Sequence, residues 1–221
     1  MDTESTTITV QFGRTSKLFE VIQRPIPHIT VDSSKELHGW WNGIEPYGNR
    51  ECTSEKLLIN PYNGCSHNCL FCYSHAFGGY FGLFREHGVV TVFKEFDKRL
   101  ERQLDGLRVA NCGYLSPVTD PFQPLNDRYG LSEKIVKVFV DRNIPVQFTT
   151  KGRISETALK LIKKQEHSFG EVSFLTPDEA KRRQLMAGGA PTDELVRNIE
   201  RLTHAGTSVS YTHLRAHETV L

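Results

Sequence analysis

Over residues 131–142 the apolar side chains Leu131, Ile135, Val138 and Phe139 recur along one side of a helix, the clearest amphipathic pattern in the chain. Shorter apolar runs surround it. Residues 57–60 predict a buried strand, 95–107 a helix, 112–116 a second strand, 145–150 a third and 171–175 a fourth. Helices are predicted over 155–164, capped by Ser155, and over 192–204, closed by Ala205-Gly206, which points toward one further strand. Ahead of these elements, residues 1–10 are polar and threonine-rich, and the Trp40-Trp41 pair reads as packing. Residues 76–84 are glycine-rich and aromatic.

Alternating strands and helices favour a parallel sheet, which right-handed crossovers either curl into a barrel or open into a doubly wound sheet. In both architectures ligands sit at the carboxyl ends of the strands. The positions to inspect are therefore 116–124 after strand two, 149–152 after strand three, and Ser173 within strand four.

The 221 residues, 38% hydrophobic and 24% charged, suffice for one sizeable core or one large domain with extensions. A net charge of +1 gives no electrostatic reason to expect nucleic acid. Lys160, Lys163 and Lys164, like Lys181, Arg182 and Arg183, fall on helix-like segments and read as solvated faces. No apolar stretch is long enough to cross a bilayer, and no basic start precedes an apolar run, so a soluble protein with no membrane partner is expected. Five cysteines, three of them clustered, do not make an even disulfide framework, and a reducing cytoplasm is the expected compartment. Cys52 and Cys112 read as small buried hydrophobes.

The cluster is Cys65, Cys69 and Cys72, in the run Ile59-Asn-Pro-Tyr-Asn-Gly-Cys-Ser-His-Asn-Cys-Leu-Phe-Cys-Tyr73. Three thiolates on one loop can hold three irons of a 4Fe-4S cluster, and with no fourth cysteine at ligand spacing one iron stays open. Zinc is the competing ligand: Cys65, His67, Cys69 and Cys72 are a mixed set that it accepts, although one short loop is crowded for a tetrahedral site. On that alternative the chain is a non-catalytic zinc or iron–sulfur binding module.

The cysteine spacing, with Phe71 just before the last cysteine, resembles the radical S-adenosylmethionine superfamily. The resemblance implies a partial six-unit (β/α) barrel with the cluster on the loop after strand one, of which this chain carries about four units. It also implies S-adenosylmethionine at the open iron, reductive cleavage to a 5'-deoxyadenosyl radical that abstracts hydrogen from a substrate, and an electron donor of flavodoxin or ferredoxin type. Asn60-Pro-Tyr, Gly64-Cys-Ser-His67, Thr119-Asp-Pro and Thr150-Lys-Gly152 resemble the branch similar to spore photoproduct lyase, from about residue 53 to 206.

That branch implies a grip on the methionine amino group from the end of strand two, where the chain offers Ser116, Thr119 and Asp120 but no Gly-Gly-Glu. Lys151 and Ser173 would hold the methionine carboxylate, Phe71 would stack on or flank the adenine, and His67 would fix the loop as a donor. Each has a plainer reading beside it: Lys151 as a surface lysine, Ser173 as a partner for backbone, Phe71 as core filling, Asp120 as a turn former between two prolines. No residue is assigned to the hydrogen transfer itself. A lyase-like substrate would be a damaged thymine pair in DNA, brought out of the stack; another macromolecule or a metabolite is an equal candidate.

Residues 209–219, Val-Ser-Tyr-Thr-His-Leu-Arg-Ala-His-Glu-Thr, resemble a translated sequencing adapter. The expected organisation is an extension over 1–52, an incomplete radical S-adenosylmethionine core over 53–207, and a non-native tail over 208–221, in which His213 and His217 carry no metal site. The open barrel edge of such a fragment is expected to lower its solubility.

Overall fold

The computed structural model describes residues 5–33, 35–38, 56–107 and 110–212, and the expectations for Trp40-Trp41, Cys52, His213 and His217 lie outside the described residues. The polar lead forms a hairpin. Strands β1 (Ser5–Phe12) and β2 (Thr15–Ile22) pair antiparallel, turned by Gly13 at φ 60°. β3 (His28–Val31) continues the same sheet, and the two-residue β4 (Leu37–His38) pairs antiparallel with β5 (Lys56–Ile59) of a second sheet.

Strand β6 (Tyr62–Asn63) then leads into the cysteine loop, which ends in a 3-10 turn at Tyr73–Ala76 and helix α1 (Tyr80–His87). β7 (Val90–Phe93) and α2 (Phe96–Asp105) return the chain to β8 (Cys112–Leu115). α3 (Asn126–Tyr129), α4 (Leu131–Asp141), β9 (Val146–Thr150), α5 (Glu156–Ile162), β10 (Phe169–Ser173), α6 (Glu179–Leu185), α7 (Thr192–His204) and β11 (Ser208–Thr212) follow.

The first sheet runs β1-β2-β3-β7-β6 and the second β11-β10-β9-β8-β5-β4. In the second, β5, β8, β9, β10 and β11 are parallel and neighbours in space follow their order in the chain. This order never reverses, so the sheet lacks the switch point of a doubly wound fold and is wound as a barrel, with β11 and β4 as open edges. Four β/α units are followed by a fifth strand, at the place to which the Ala205-Gly206 turn leads.

Each parallel strand alternates between two environments. Leu57, Ile59, Leu115, Val146, Phe148 and Val172 are buried on the face under the helices. Where the helices come closest, glycine stands in the strand: a Cβ on Gly113 would lie 2.6 Å from the Phe139 ring of α4, and one on Gly170 would lie 2.8 Å from Leu202 of α7. Lys56, Tyr114, Gln147, Thr149 and Glu171 alternate with these buried positions and stay partly exposed on the other face. A polar inner face is the first sign of a ligand site.

Three elements depart from the sequence reading. The hairpin in the threonine-rich lead buries only a small cluster of Val10, Val21 and Ile29 against Leu83 and Val89, so its period of two is carried by few apolar residues. β7 is buried at all four positions, a run too short and too uniform to separate from a loop by periodicity. The third is α6, where Arg182 is buried rather than solvated. Its guanidinium pairs with Glu179 (2.7 Å) and donates to the Met186 and Gly189 carbonyls at 2.9 and 3.1 Å.

That buried arginine shapes the segment that braces the cysteine loop. Gly188 N–H donates to the His67 carbonyl (3.1 Å), Leu70 N–H to the Leu185 carbonyl (3.1 Å), and Ala190 N–H to the Lys151 carbonyl (2.8 Å). The approach leaves no room for a side chain at Gly188, whose Cβ would fall 2.2 Å from the Ser66 carbonyl oxygen. Asn198 of α7 adds a second brace, donating to the Gly152 carbonyl (2.8 Å) and accepting from Ile154 N–H (3.2 Å).

Asp120 ties these parts together. It is 4% exposed; Oδ1 accepts from Phe122 N–H (2.9 Å) and the Thr150 hydroxyl (2.8 Å), and Oδ2 accepts from Lys151 N–H (2.6 Å) and lies 3.2 Å from His67 Nε2. Burial would push its carboxyl up, but the His67 ring and the Lys151 N–H and ammonium outweigh burial and hold it below its ordinary value.

Because the folded value lies below the unfolded value of about 4, the ionised clamp contributes stability that is full above that pH and lost as the pH falls through the folded value. Asp120→Asn is expected to lower unfolding free energy by about 3 kcal/mol at neutral pH, with the gap closing below about pH 4. Urea titrations of both proteins across that range check it, and equal stability at neutral pH would refute the clamp. Gly188→Ala is expected to destabilise by about 1–3 kcal/mol, read as a lower melting temperature.

Candidate functional site

At the carboxyl ends of β8, β9 and β10 a cavity of about 300 Å³ is lined by Cys65, Cys69 and Cys72 on one side and by Ser116, Thr119, Asp120, Lys151 and Ser173 on the other. With His67, which also lines it, nine residues marked by the sequence thus share one space. Phe71 does not join them: it is 47% exposed and outside the cavity lining.

The cysteine loop is held by polar contacts that leave the thiols out. Cys65 accepts at its carbonyl from Asn68 N–H (3.2 Å), and Cys69 likewise from Cys72 N–H (3.1 Å); Asn68 sits at φ 46° and Gly64 at φ 85° to make the tight path. Gln123, fully buried, takes the Ser66 N–H on its carbonyl oxygen (3.2 Å) and donates its amide to the Gly64 carbonyl (3.3 Å). His67 Nδ1 donates to the Gly188 carbonyl at 2.7 Å while Nε2 faces Asp120. Nδ1 is thus committed to the Gly188 carbonyl, and Nε2 lies 3.2 Å from the Asp120 carboxylate without a formed hydrogen bond.

Burial pushes the Cys65 thiol well up, reinforced by the charge of Asp120 and partly offset by a backbone hydrogen bond at His67. Burial likewise pushes Cys69 up to about 11 against the opposing pull of the Lys151 ammonium. Cys72 lies 2.9 Å, Sγ to Oγ, from Ser74. Thiols so placed ionise when a cation compensates them, and metal coordination is the compensation that sulfur donors favour. Among the described residues no three His, Cys, Asp or Glu side chains converge on one ion-sized point. A 4Fe-4S cluster asks for something else, three thiolates each on its own iron, and three cysteines lining one cavity fit it.

The opposite wall carries an unusual serine. Ser116 is 1% exposed, stands at φ 54°, and its Oγ has no hydrogen-bond partner among the described residues. A left-handed backbone at a non-glycine residue costs about 1–3 kcal/mol, and an unmet buried hydroxyl about as much again. Strain and an unpartnered donor at one cavity residue point to a ligand contact. Thr119 is already engaged, donating to the Tyr62 carbonyl at 3.4 Å.

The sequence reading gave no individual role to five residues here, although Gln123 and Thr149 fall within the strand-end stretches it marked. Gln123 holds the loop backbone. Tyr73, whose hydroxyl donates to the Pro117 carbonyl, lines the cavity with Tyr114, Thr149 and Glu171. The last three lie on β8, β9 and β10 at positions that alternate with the buried ones, so the period of two within the strands would have found them. Cys112 begins β8 and is half-buried, outside the cavity lining, with burial raising its thiol. Among the described residues no helix is long and apolar enough to cross a membrane.

Known proteins resemble the chain in sequence and in fold. A radical SAM Nalpha-GlyT isomerase of Pseudomonas phage M6 is 29% identical over 191 residues, covering 84% of this chain and 39% of the relative. The structure of a cysteine-to-serine mutant of spore photoproduct lyase superposes with a TM-score of 0.61 at 11% identity, covering 85% of this chain and 51% of the lyase. That likeness shows the fold, and the chain spans well under two thirds of either protein. Residues 59–216, most of the chain, match the radical SAM superfamily, and the protein belongs to that superfamily.

Proposed function

We propose that Cys65, Cys69 and Cys72 hold a 4Fe-4S cluster and that the protein is an enzyme which reductively cleaves S-adenosylmethionine. The observation that carries this reading is the single cavity in which three cysteines face Ser116, Lys151 and Ser173. When bound, the cluster and S-adenosylmethionine supply a 5'-deoxyadenosyl radical for hydrogen abstraction.

The residues of the chain bind and orient. Lys151 and Ser173 present an ammonium and a hydroxyl to a carboxylate, and the unpartnered Ser116 hydroxyl can accept from an amino group. Asp120 is a positioning residue, since both its oxygens are bonded to protein groups: it sets the Lys151 backbone and holds the cysteine loop through His67. An electron donor of flavodoxin or ferredoxin type would reach the cluster from the exposed side of the cysteine loop, where Leu70 and Phe71 stand open.

For the substrate we propose a thymine-type nucleotide. The branch resemblance points to a damaged thymine pair in DNA, and the phage relative is named as an isomerase of Nalpha-GlyT. Of the two reactions, isomerisation has the stronger support, because that relative is the more similar in sequence, 29% against 11% for the lyase.

Anaerobically reconstituted protein is expected to hold about four irons with matching sulfide, and its reduced form to give an electron paramagnetic resonance signal that S-adenosylmethionine alters. Zinc in place of iron, or a signal indifferent to S-adenosylmethionine, would remove the radical reading. Lys151→Met is expected to retain iron and weaken S-adenosylmethionine binding by about tenfold or more, the worth of a hydrogen bond to a charged group. A titration that gives the same affinity for both proteins would free Lys151 from that role.

A further inference from the structure

We infer that Glu171, backed by Thr149 and Tyr114, is a recognition site for a cationic nitrogen on the substrate. This rests on the reading that Ser116, Lys151 and Ser173 take the cofactor. Tyr114, Thr149 and Glu171 each precede one of those residues by two positions and lie on β8, β9 and β10, while Ser116 and Lys151 stand just past the ends of β8 and β9. All six line one cavity.

Tyr114, Thr149 and Glu171 are joined by directed hydrogen bonds. The Thr149 hydroxyl gives its only proton to Glu171 Oε2 at 3.2 Å. Its oxygen must then accept at the 3.1 Å contact with Tyr114, whose hydroxyl is the donor. The row therefore runs from Tyr114 to Thr149 to Glu171 and ends on a carboxylate. Among the described residues no lysine, arginine or histidine lies within ion-pair distance of Glu171, and its Oε1 takes no protein donor.

A half-buried carboxylate in a cavity is costly without a counter-charge. The row behind it supplies one hydrogen bond to Oε2, and among the described residues Oε1 is left for whatever enters the cavity. The group that satisfies it is an N–H donor carrying positive charge, such as a protonated amine, and a ligand with oxygen acceptors at that point is rejected. Lys151, the cationic side chain of the lining, acts on Cys69 and Asp120.

The test is equilibrium dialysis of two nucleoside probes, 5-aminomethyl-2'-deoxyuridine and its neutral counterpart 5-hydroxymethyl-2'-deoxyuridine, against reconstituted protein with and without S-adenosylmethionine. Wild type is expected to bind the amine about tenfold more tightly than the alcohol. Glu171→Gln is expected to erase the preference and Glu171→Asp, which keeps the charge, to retain part of it, while the cofactor-induced spectral change is the same in all three. No preference in the wild type, or no binding of either probe, overturns the inference. So does a Glu171→Gln protein that loses S-adenosylmethionine binding, because Glu171 would then belong to the cofactor. An amine preference in protein whose spectrum ignores S-adenosylmethionine would sink the cofactor reading and leave the Glu171 site standing.

Discussion

The carboxylate of Asp120 is the contact on which the site depends. It is buried, ionised and bonded to groups from three parts of the chain: the turn after β8, the end of β9, and the cysteine loop through His67. A buried charge with one missing partner is far more costly than an exposed one, so its partners are held together by the penalty for separating any of them. The glycines at 152 and 188 follow from the same closeness. Each lies where a Cβ would meet a carbonyl oxygen at 2.2 Å, and the cysteine loop is thereby set against both the strand ends and the segment before α7.

Strand geometry divides labour between the two faces of the parallel sheet. The face under the helices is filled by Ile59, Leu115, Phe148 and Val172, and gains stability from apolar area removed from water. The other face has no such demand, and its positions can be polar without weakening the core. The hydrogen-bonding groups that line the cavity come from this polar face, in a domain whose other face is apolar.

Much of this was legible in the sequence, for physical reasons that differ from residue to residue. The parallel strands and long helices announce themselves by period, and the three cysteines by ligand chemistry and spacing. Ser116, Lys151 and Ser173 were placed by the rule that ligands gather at strand ends, and they share the cavity. Gln123 fell inside a marked stretch but its role was beyond reach, because its bonds go to loop backbone 57 and 59 residues away, and Arg182 was read as part of a solvated face although it is buried. Phe71 shows the opposite limit: its place next to Cys72 is fixed by sequence, but the 3-10 turn after the loop decides which way the ring projects, and it projects outward.

The loop's own bonds set its path through backbone and side-chain groups other than sulfur. In small metal-folded domains the ligands are brought together only by the ion, so binding and folding are one event. Here Gln123 holds the backbone at Gly64 and Ser66, Gly188 holds both the ring and the carbonyl of His67, and Leu185 holds Leu70. None of these contacts involves a sulfur. The path of the loop is thus held by contacts that do not use the sulfurs, while burial raises the Cys65 and Cys69 thiols. Such a loop presents its cysteines from a backbone that its own hydrogen bonds hold, in the same cavity as strained Ser116 and the carboxylate of Glu171.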